Sequence, residues 1–475
     1  GTVAVTLTVD VDQARRQLQQ LAETGVDLDD LTAQLQEQGV TAFADAFASL
    51  IDSVAVKRRQ MLAGQIDLSA HLGQYEAGVQ QTLADMQEAN IIGRIWDHDH
   101  TVWKPDPAEI SNRLGWLDIA ERMEANLDQL QQLVGDVQVA GYSQAVLLGM
   151  GGSSLAPEVF YKTFGPADGY LDLIVLDSTD PGAVLATDRQ LAFDQTLFIV
   201  ATKSGGTAET LSFFKYFYNR VSAALGPDQA GQHFVAITDP GSKLVDLAEK
   251  YDFRATFLND PNIGGRYSAL SYFGLLPAAL VGVDIPRLLD RAHIAACNAG
   301  AGACEPDRNI AAELGATMGA LAQDGRDKLT FITSPSLANF GDWVEQLIAE
   351  STGKQGRGIL PVVGEPVGAP GQYGADRLFV YLRLAGDQTH DAQVAALQDA
   401  GFPVLTLALQ DRYDLGAQFF LWEMATAVAG SILNIQPFNQ PNVEAAKVQA
   451  RKMITAYQES GTLPEGETSA AAAAT

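Results

Sequence analysis

Cysteine is nearly absent from this chain. Two of its 475 residues are Cys297 and Cys304, in the stretch CNAGAGAC. One bridge would need close, correctly aimed Cβ atoms, and the expectation is two reduced thiols in a cytoplasmic protein. Positive charge is also scarce: 31 Lys and Arg stand against 58 Asp and Glu, a formal net charge of −27. That balance argues against nucleic-acid backbones and anionic membrane surfaces as partners. An anionic ligand must then be caught by local donors that overcome the global field. No continuous run of about 18 apolar residues is present, so no membrane span is expected. The opening GTVAVTLTVD has no basic region followed by an apolar one, which excludes a secretory signal there. Histidine is sparse, and one HxH pair occurs, His98 and His100. Alternate residues share a face only on a strand and no ligand-rich cluster adjoins this pair, so no metal is expected.

What is present is apolar residue in quantity, nearly half of the chain, and length enough for about three domains. Val11, Ala14, Leu18 and Leu21 recur at three- and four-residue spacings, the pattern of a helix face. Phe43, Phe47, Leu50, Ile51 and Val54 form a second such face, and so short a segment needs a partner surface for it. The chain remains mainly helical to about Val137. From Ala145 short apolar runs alternate with helical segments: AVLLGM, LDLIVLD, LFIVATK and HFVAITD, then KLTFITS, GILPVVG, RLFVYLRL and PVLTLAL. This alternation marks parallel sheets covered by helices. Two α/β domains are expected, joined near Ala292 to Arg308. The expected segments are 1–62, 63–137, 138–292 and 293–461, with 462–475, ending ETSAAAAAT, a disordered tail.

Five clusters carry chemistry. LGMGGSSL follows a strand and offers tight-turn glycines with Ser153 and Ser154. It half-matches a dinucleotide fingerprint, and Asp177 ends the next strand where a ribose-binding acid would sit, but the third glycine is missing. ATKSGGTAET opens a helix with Thr202, Lys203, Ser204 and Thr207, and its glycines let amides approach an anion. Hydroxyls, a cation and free helix N–H groups make a phosphate cradle without Walker spacing. NIGGRYSALS places Arg266 after two glycines, whose unusual backbone path could aim a fixed guanidinium into a cleft. WVEQLIAESTGKQGRG places Glu350 at the end of an apolar helix. A carboxylate held against apolar neighbours becomes a usable base near neutral pH. PFNQPNVEAAK places Lys447 inside a helix that starts after Pro441.

Taken in order, NIGGRYSALS, AESTGK and FNQPNVEAAK resemble the phosphoglucose isomerase family, over roughly Arg94 to Tyr457. The resemblance implies two sugar isomerase (SIS) domains, doubly wound α/β with mainly parallel sheets, after a helical N-terminal segment. It implies aldose–ketose isomerisation of glucose 6-phosphate and fructose 6-phosphate in glycolysis and gluconeogenesis, without cofactor or metal, by a homodimer. Glu350 would be the proton-transfer base, Arg266 the cation that steadies the enediolate, and Lys447 the group acting at the ring oxygen. Ser153, Thr202, Lys203, Ser204 and Thr207 would bind the phosphate. The family's ring-opening histidine has no counterpart here: Asp376 of GQYGADRLF stands about where it would fall. A second resemblance is to the C-terminal helices of bacterial transaldolase, carried by GVDLDDLTAQLQEQGVTAFADAFASLIDSVAVKR. It implies the isomerase half of a fused transaldolase–isomerase; with no barrel and no Schiff-base lysine, no transaldolase activity is expected. The other readings are a nicotinamide dehydrogenase built on LGMGGSSL and Asp177, a non-catalytic sugar-phosphate sensor, and a bifunctional phosphoglucose/phosphomannose isomerase.

Overall fold

The structure is a computed structural model that describes residues 8–301, 304 and 308–462, without the side chains of 442–447. The expected tail, apart from Thr462, therefore lies outside the described residues. The chain divides into two compact units, 1–61 and 62–475.

The first unit holds the helix Val11–Glu23 and most of the helix Leu28–Ala63. Val40, Phe43, Phe47, Leu50 and Val54 are all exposed. By length and composition Leu28–Ala63 could cross a membrane, which the lack of a continuous apolar run did not anticipate. Its apolar residues are interrupted by Asp45 and Asp52, each of which would cost about 2.5–3.5 kcal/mol at bilayer depth.

Among the described residues, the second unit is built on ten strands. These are β1 (Asp67–His71), β2 (Gln144–Leu148), β3 (Asp172–Leu176), β4 (Thr196–Ala201) and β5 (Phe234–Thr238), then β6 (Ala255–Leu258), β7 (Lys328–Thr333), β8 (Leu360–Val362), β9 (Arg377–Leu384) and β10 (Val404–Leu409). One sheet runs β3-β2-β4-β5-β6, all parallel. The other runs β1-β10-β9-β7-β8, parallel except for β1, which pairs antiparallel with β10. All eight apolar runs are strands. The segment after residue 63, expected to be mainly helical, also carries β1, which joins the second sheet as an edge.

The strands are apolar on both faces because each sheet is covered on both. In β2, Ala145 and Leu147 face the core shared by the two sheets, while Val146 and Leu148 pack with Phe213, Phe217 and Phe234 on the far side. Likewise Phe331 and Val380 face the shared core and Phe379 and Tyr381 the outer one. A fully buried side chain of this kind contributes about 1.5–3 kcal/mol. The helix Leu415–Ile432 lies in the shared core, buried from Leu415 to Gly430.

That helix buries Glu423 completely, and neither carboxylate oxygen has a hydrogen-bond partner. Burial raises its pKa well above the ordinary value of 4.5. Folded protein thus keeps a proton that unfolded chain releases above about pH 4.5, so this group's contribution to stability falls as pH rises. Glu423→Gln should melt higher than wild type at pH 8, with the difference vanishing toward pH 4. Each unit of pKa elevation is worth about 1.4 kcal/mol. Melting curves from pH 4 to 8 check this, and a constant offset would refute it.

The cysteines correct the sequence expectation: Cys297 and Cys304 form a disulfide, with Cα atoms 5.3 Å apart. The helix Ile285–Asn298 ends at this point and the chain reverses through Gly300, at φ +90°. Ala301 N donates to Ala296 O and Cys304 N to Ala301 O, which carries Cys304 back beside Cys297.

Candidate active site

Beyond the C-terminal ends of β2 and β4 a cleft of about 580 Å³ opens, the usual place for a ligand in a doubly wound sheet. Its first wall is the turn after β2. Gly151 takes φ +56° and Ser153 lines the cleft. A Cβ on Gly152 would stand 2.1 Å from the carbonyl oxygen of Gly265, so only glycine lets this turn meet the loop that carries Arg266.

The second wall is the loop after β4, contributing Thr202, Lys203, Ser204 and Thr207. Thr202 and Thr207 join their hydroxyls at 2.8 Å, and Thr238 Oγ1 donates to Thr202 O at 2.7 Å. Gly205 takes φ +64°, and the helix Ala208–Leu225 follows with its first N–H groups toward the loop. Lys203 Nζ pairs with Asp239, at the end of β5, and donates to Pro261 O at 2.9 Å. Burial raises the Asp239 carboxyl above its ordinary value, opposed by Lys203.

The third wall joins the two sheets. Arg266 is 2% exposed. Its Nη1 donates to Ser351 Oγ at 2.8 Å, and Nη2 to Phe438 O at 2.9 Å and Asn439 O at 3.0 Å. Its Nε stands 3.6 Å from Glu350 Oε2. Burial lowers the guanidinium from its ordinary value, yet an arginine keeps its charge. Glu350, on the helix Phe340–Thr352, accepts from Gln346 Nε2 at 3.2 Å and from Gln440 Nε2 at 3.3 Å. The expected apolar surroundings are therefore replaced by two amides and a guanidinium, because the helix turns this residue toward the cleft.

Residues 118–358 match the family model of phosphoglucose isomerase. Glucose-6-phosphate isomerase of Rubrobacter xylanophilus is 30% identical over 381 residues, covering 69% of this chain and 85% of the relative. The chain belongs to the phosphoglucose isomerase family. The Mycoplasmopsis pulmonis enzyme of the same name is 28% identical over 385 residues, covering 72% of this chain and 90% of its own. Among solved structures, a hypothetical protein of Thermus thermophilus superposes with TM-score 0.69 at 25% identity, covering 82% of this chain and all of its own. A glucose-6-phosphate isomerase of Chlamydia trachomatis has the same fold, with TM-score 0.68 at 20% identity and coverage of 80% and 86%.

Of the eight residues given a catalytic or phosphate-binding role from sequence, seven line one cleft: Ser153, Thr202, Lys203, Ser204, Thr207, Arg266 and Glu350. The eighth, Lys447, lies on the helix Pro441–Ser460, but its side chain falls outside the described residues. A larger cavity, about 670 Å³ and bordered by Gln323, Arg357 and Leu433, contains none of them. Asp376 does not line the cleft; it pairs with Lys328 at 2.9 Å, which holds its carboxyl below the ordinary value. The dinucleotide reading fails on geometry, since the Gly265 carbonyl fills the close approach at Gly152 that a pyrophosphate would need, and Asp177 does not line the cleft.

Sequence reasoning missed Arg113, Asp239, Gln346 and Gln440, all in the cleft wall. Gln346 lies one helical turn before Glu350 and could have been found by that spacing. Asp239 directly follows β5, the parallel neighbour of the strand before Lys203, and its place just past a strand end was a usable signal. Arg113 offered no local signal.

Proposed function

We propose that the chain interconverts glucose 6-phosphate and fructose 6-phosphate with Glu350 as the base. The reading is carried by one observation: the hydroxyl- and lysine-bearing loop after β4 and the Glu350–Arg266 pair border the same cleft. A sugar phosphate anchored at the loop would present its C1–C2 edge to the carboxylate. Glu350 takes the proton from C2 of the open-chain aldose, and the C2–H electrons form the C1–C2 double bond of an enediolate. The guanidinium of Arg266 stabilises the charge that gathers on O1. The proton then returns at C1, C2 becomes the carbonyl, and the hydroxyl proton passes from O2 to O1. Ser153, Thr202, Lys203, Ser204 and Thr207 bind the phosphate, and Lys447 serves ring opening. The N-terminal helices represent a transaldolase-like attachment, and the enzyme works as a cytoplasmic homodimer; sequence resemblance supports both.

The experiment is a coupled assay of fructose 6-phosphate isomerisation. Lys203→Ala should raise KM about 10-fold or more with little change in kcat, because a charged hydrogen bond to phosphate is worth about 1.5–3 kcal/mol. Asp239, left facing the phosphate without its cation, adds repulsion, so the Lys203→Ala, Asp239→Asn double variant should recover part of the loss. A wild type inactive on both sugar phosphates would overturn the reading.

A further inference from the structure

The irregular segment between Leu433 and the helix Pro441–Ser460 has its carbonyl groups gathered by two buried cations. Arg266 Nη2 takes Phe438 O and Asn439 O, as above. Lys354, 9% exposed, donates from Nζ to Gln436 O at 2.7 Å and to Asn439 O at 2.8 Å. The Asn439 carbonyl therefore accepts from both cations. The turn is closed from within by Asn439 N donating to Gln436 Oε1 at 2.7 Å. The residue that follows is Gln440, whose amide reaches Glu350.

The main chain of Lys354 is fixed to the other side of the site. It follows the helix carrying Glu350, its N–H donates to Thr352 O at 2.8 Å, and it exchanges two backbone hydrogen bonds with Arg357, each 3.0 Å. One residue thus has its backbone on the base-bearing segment and its ammonium on the segment that presents Gln440 and launches the final helix.

We infer that Lys354 is a positioning residue for the isomerisation, holding the 436–439 carbonyls together with Arg266 so that the Gln440 amide meets Glu350. This rests on the function proposed above. Burial and the charge of Arg266 lower the Lys354 ammonium to about 7, while Glu109 and Glu350 favour its charge. A buried ammonium beside a guanidinium is costly. Its geometry is the compensation, since it satisfies the Gln436 carbonyl and shares that of Asn439 with Arg266.

The test is a double-mutant cycle on fructose 6-phosphate turnover with wild type, Lys354→Met, Gln440→Ala and the combination. Lys354→Met should lower kcat about 10-fold or more with KM within about twofold, as expected of a displaced catalytic partner. In the Gln440→Ala background the same change should cost less than about threefold, because its effect passes through Gln440. Lys354→Gln, which keeps a donor, should fall between wild type and Lys354→Met. An unchanged kcat, or losses that multiply fully in the combination, would overturn the role. If Lys354→Met fails to fold, Lys354→Gln carries the cycle; if neither folds, the lysine is a structural support only and the inference is wrong. Normal turnover by Glu350→Gln would instead sink the parent reading, and an inactive wild type would sink both.

Discussion

Glu350→Gln is expected to lower kcat for fructose 6-phosphate about 100-fold or more while leaving KM nearly unchanged. The substitution keeps the shape of the side chain and removes only its ability to take a proton, and general-base catalysis is typically worth 10²–10⁴-fold. The fold should survive. Arg266 loses a carboxylate at 3.6 Å but keeps Ser351 Oγ, Phe438 O and Asn439 O as acceptors. Of Gln346 and Gln440, one would then face an amide oxygen and the other an amide NH2, which it can meet by flipping its own amide to present the oxygen. Failure to exchange a C1 proton of fructose 6-phosphate with solvent deuterium would accompany the loss of turnover. Near-normal turnover would remove Glu350 from its role.

Arg266→Lys should cost about 100-fold in kcat although the charge is retained. A single pre-positioned donor at a developing oxyanion is worth roughly 3 kcal/mol. The planar guanidinium serves Ser351, Phe438 and Asn439 with its two terminal nitrogens and turns Nε toward Glu350. A lysine has three donors on one atom and cannot span these directions. The loss should appear equally in the affinity of a hydroxamate that mimics the enediolate, since such an analogue reports transition-state binding. A thermal melt separates this from simple loosening of the Phe438–Asn439 turn. A variant within about twofold of wild type in kcat would exclude Arg266 from charge stabilisation.

The strands were readable where burial on both faces left a continuous apolar run, as in LFIVATK and RLFVYLRL. β1, DLSAH, escaped because it is an edge strand in which only Leu68 is buried, and β6, ATFL, because it is short and only Phe257 is buried. The cradle after β4 was readable because a phosphate site is local: hydroxyls, a lysine and two glycines at the start of one helix. Glu350 was readable from its motif, but its surroundings were not. The expected apolar pocket became two amides and a guanidinium because Gln440, ninety positions further along, folds back onto it. The cysteines failed for the same reason, since their pairing depends on how the chain turns after a helix end.

By itself the sequence determined the two-sheet α/β architecture and the residue types that can hold a phosphate, move a proton and steady a negative charge. Those follow from hydrophobic periodicity and side-chain chemistry, which act over a few residues. The tertiary structure alone decided that Lys203 is paired with Asp239, that Asp376 is tied to Lys328 away from the cleft, and that Lys354 and Arg266 share the Asn439 carbonyl. Electrostatic and hydrogen-bonding partners are fixed by distance in space, and distances of about 3 Å between residues scores of positions apart exist only once the sheets have packed.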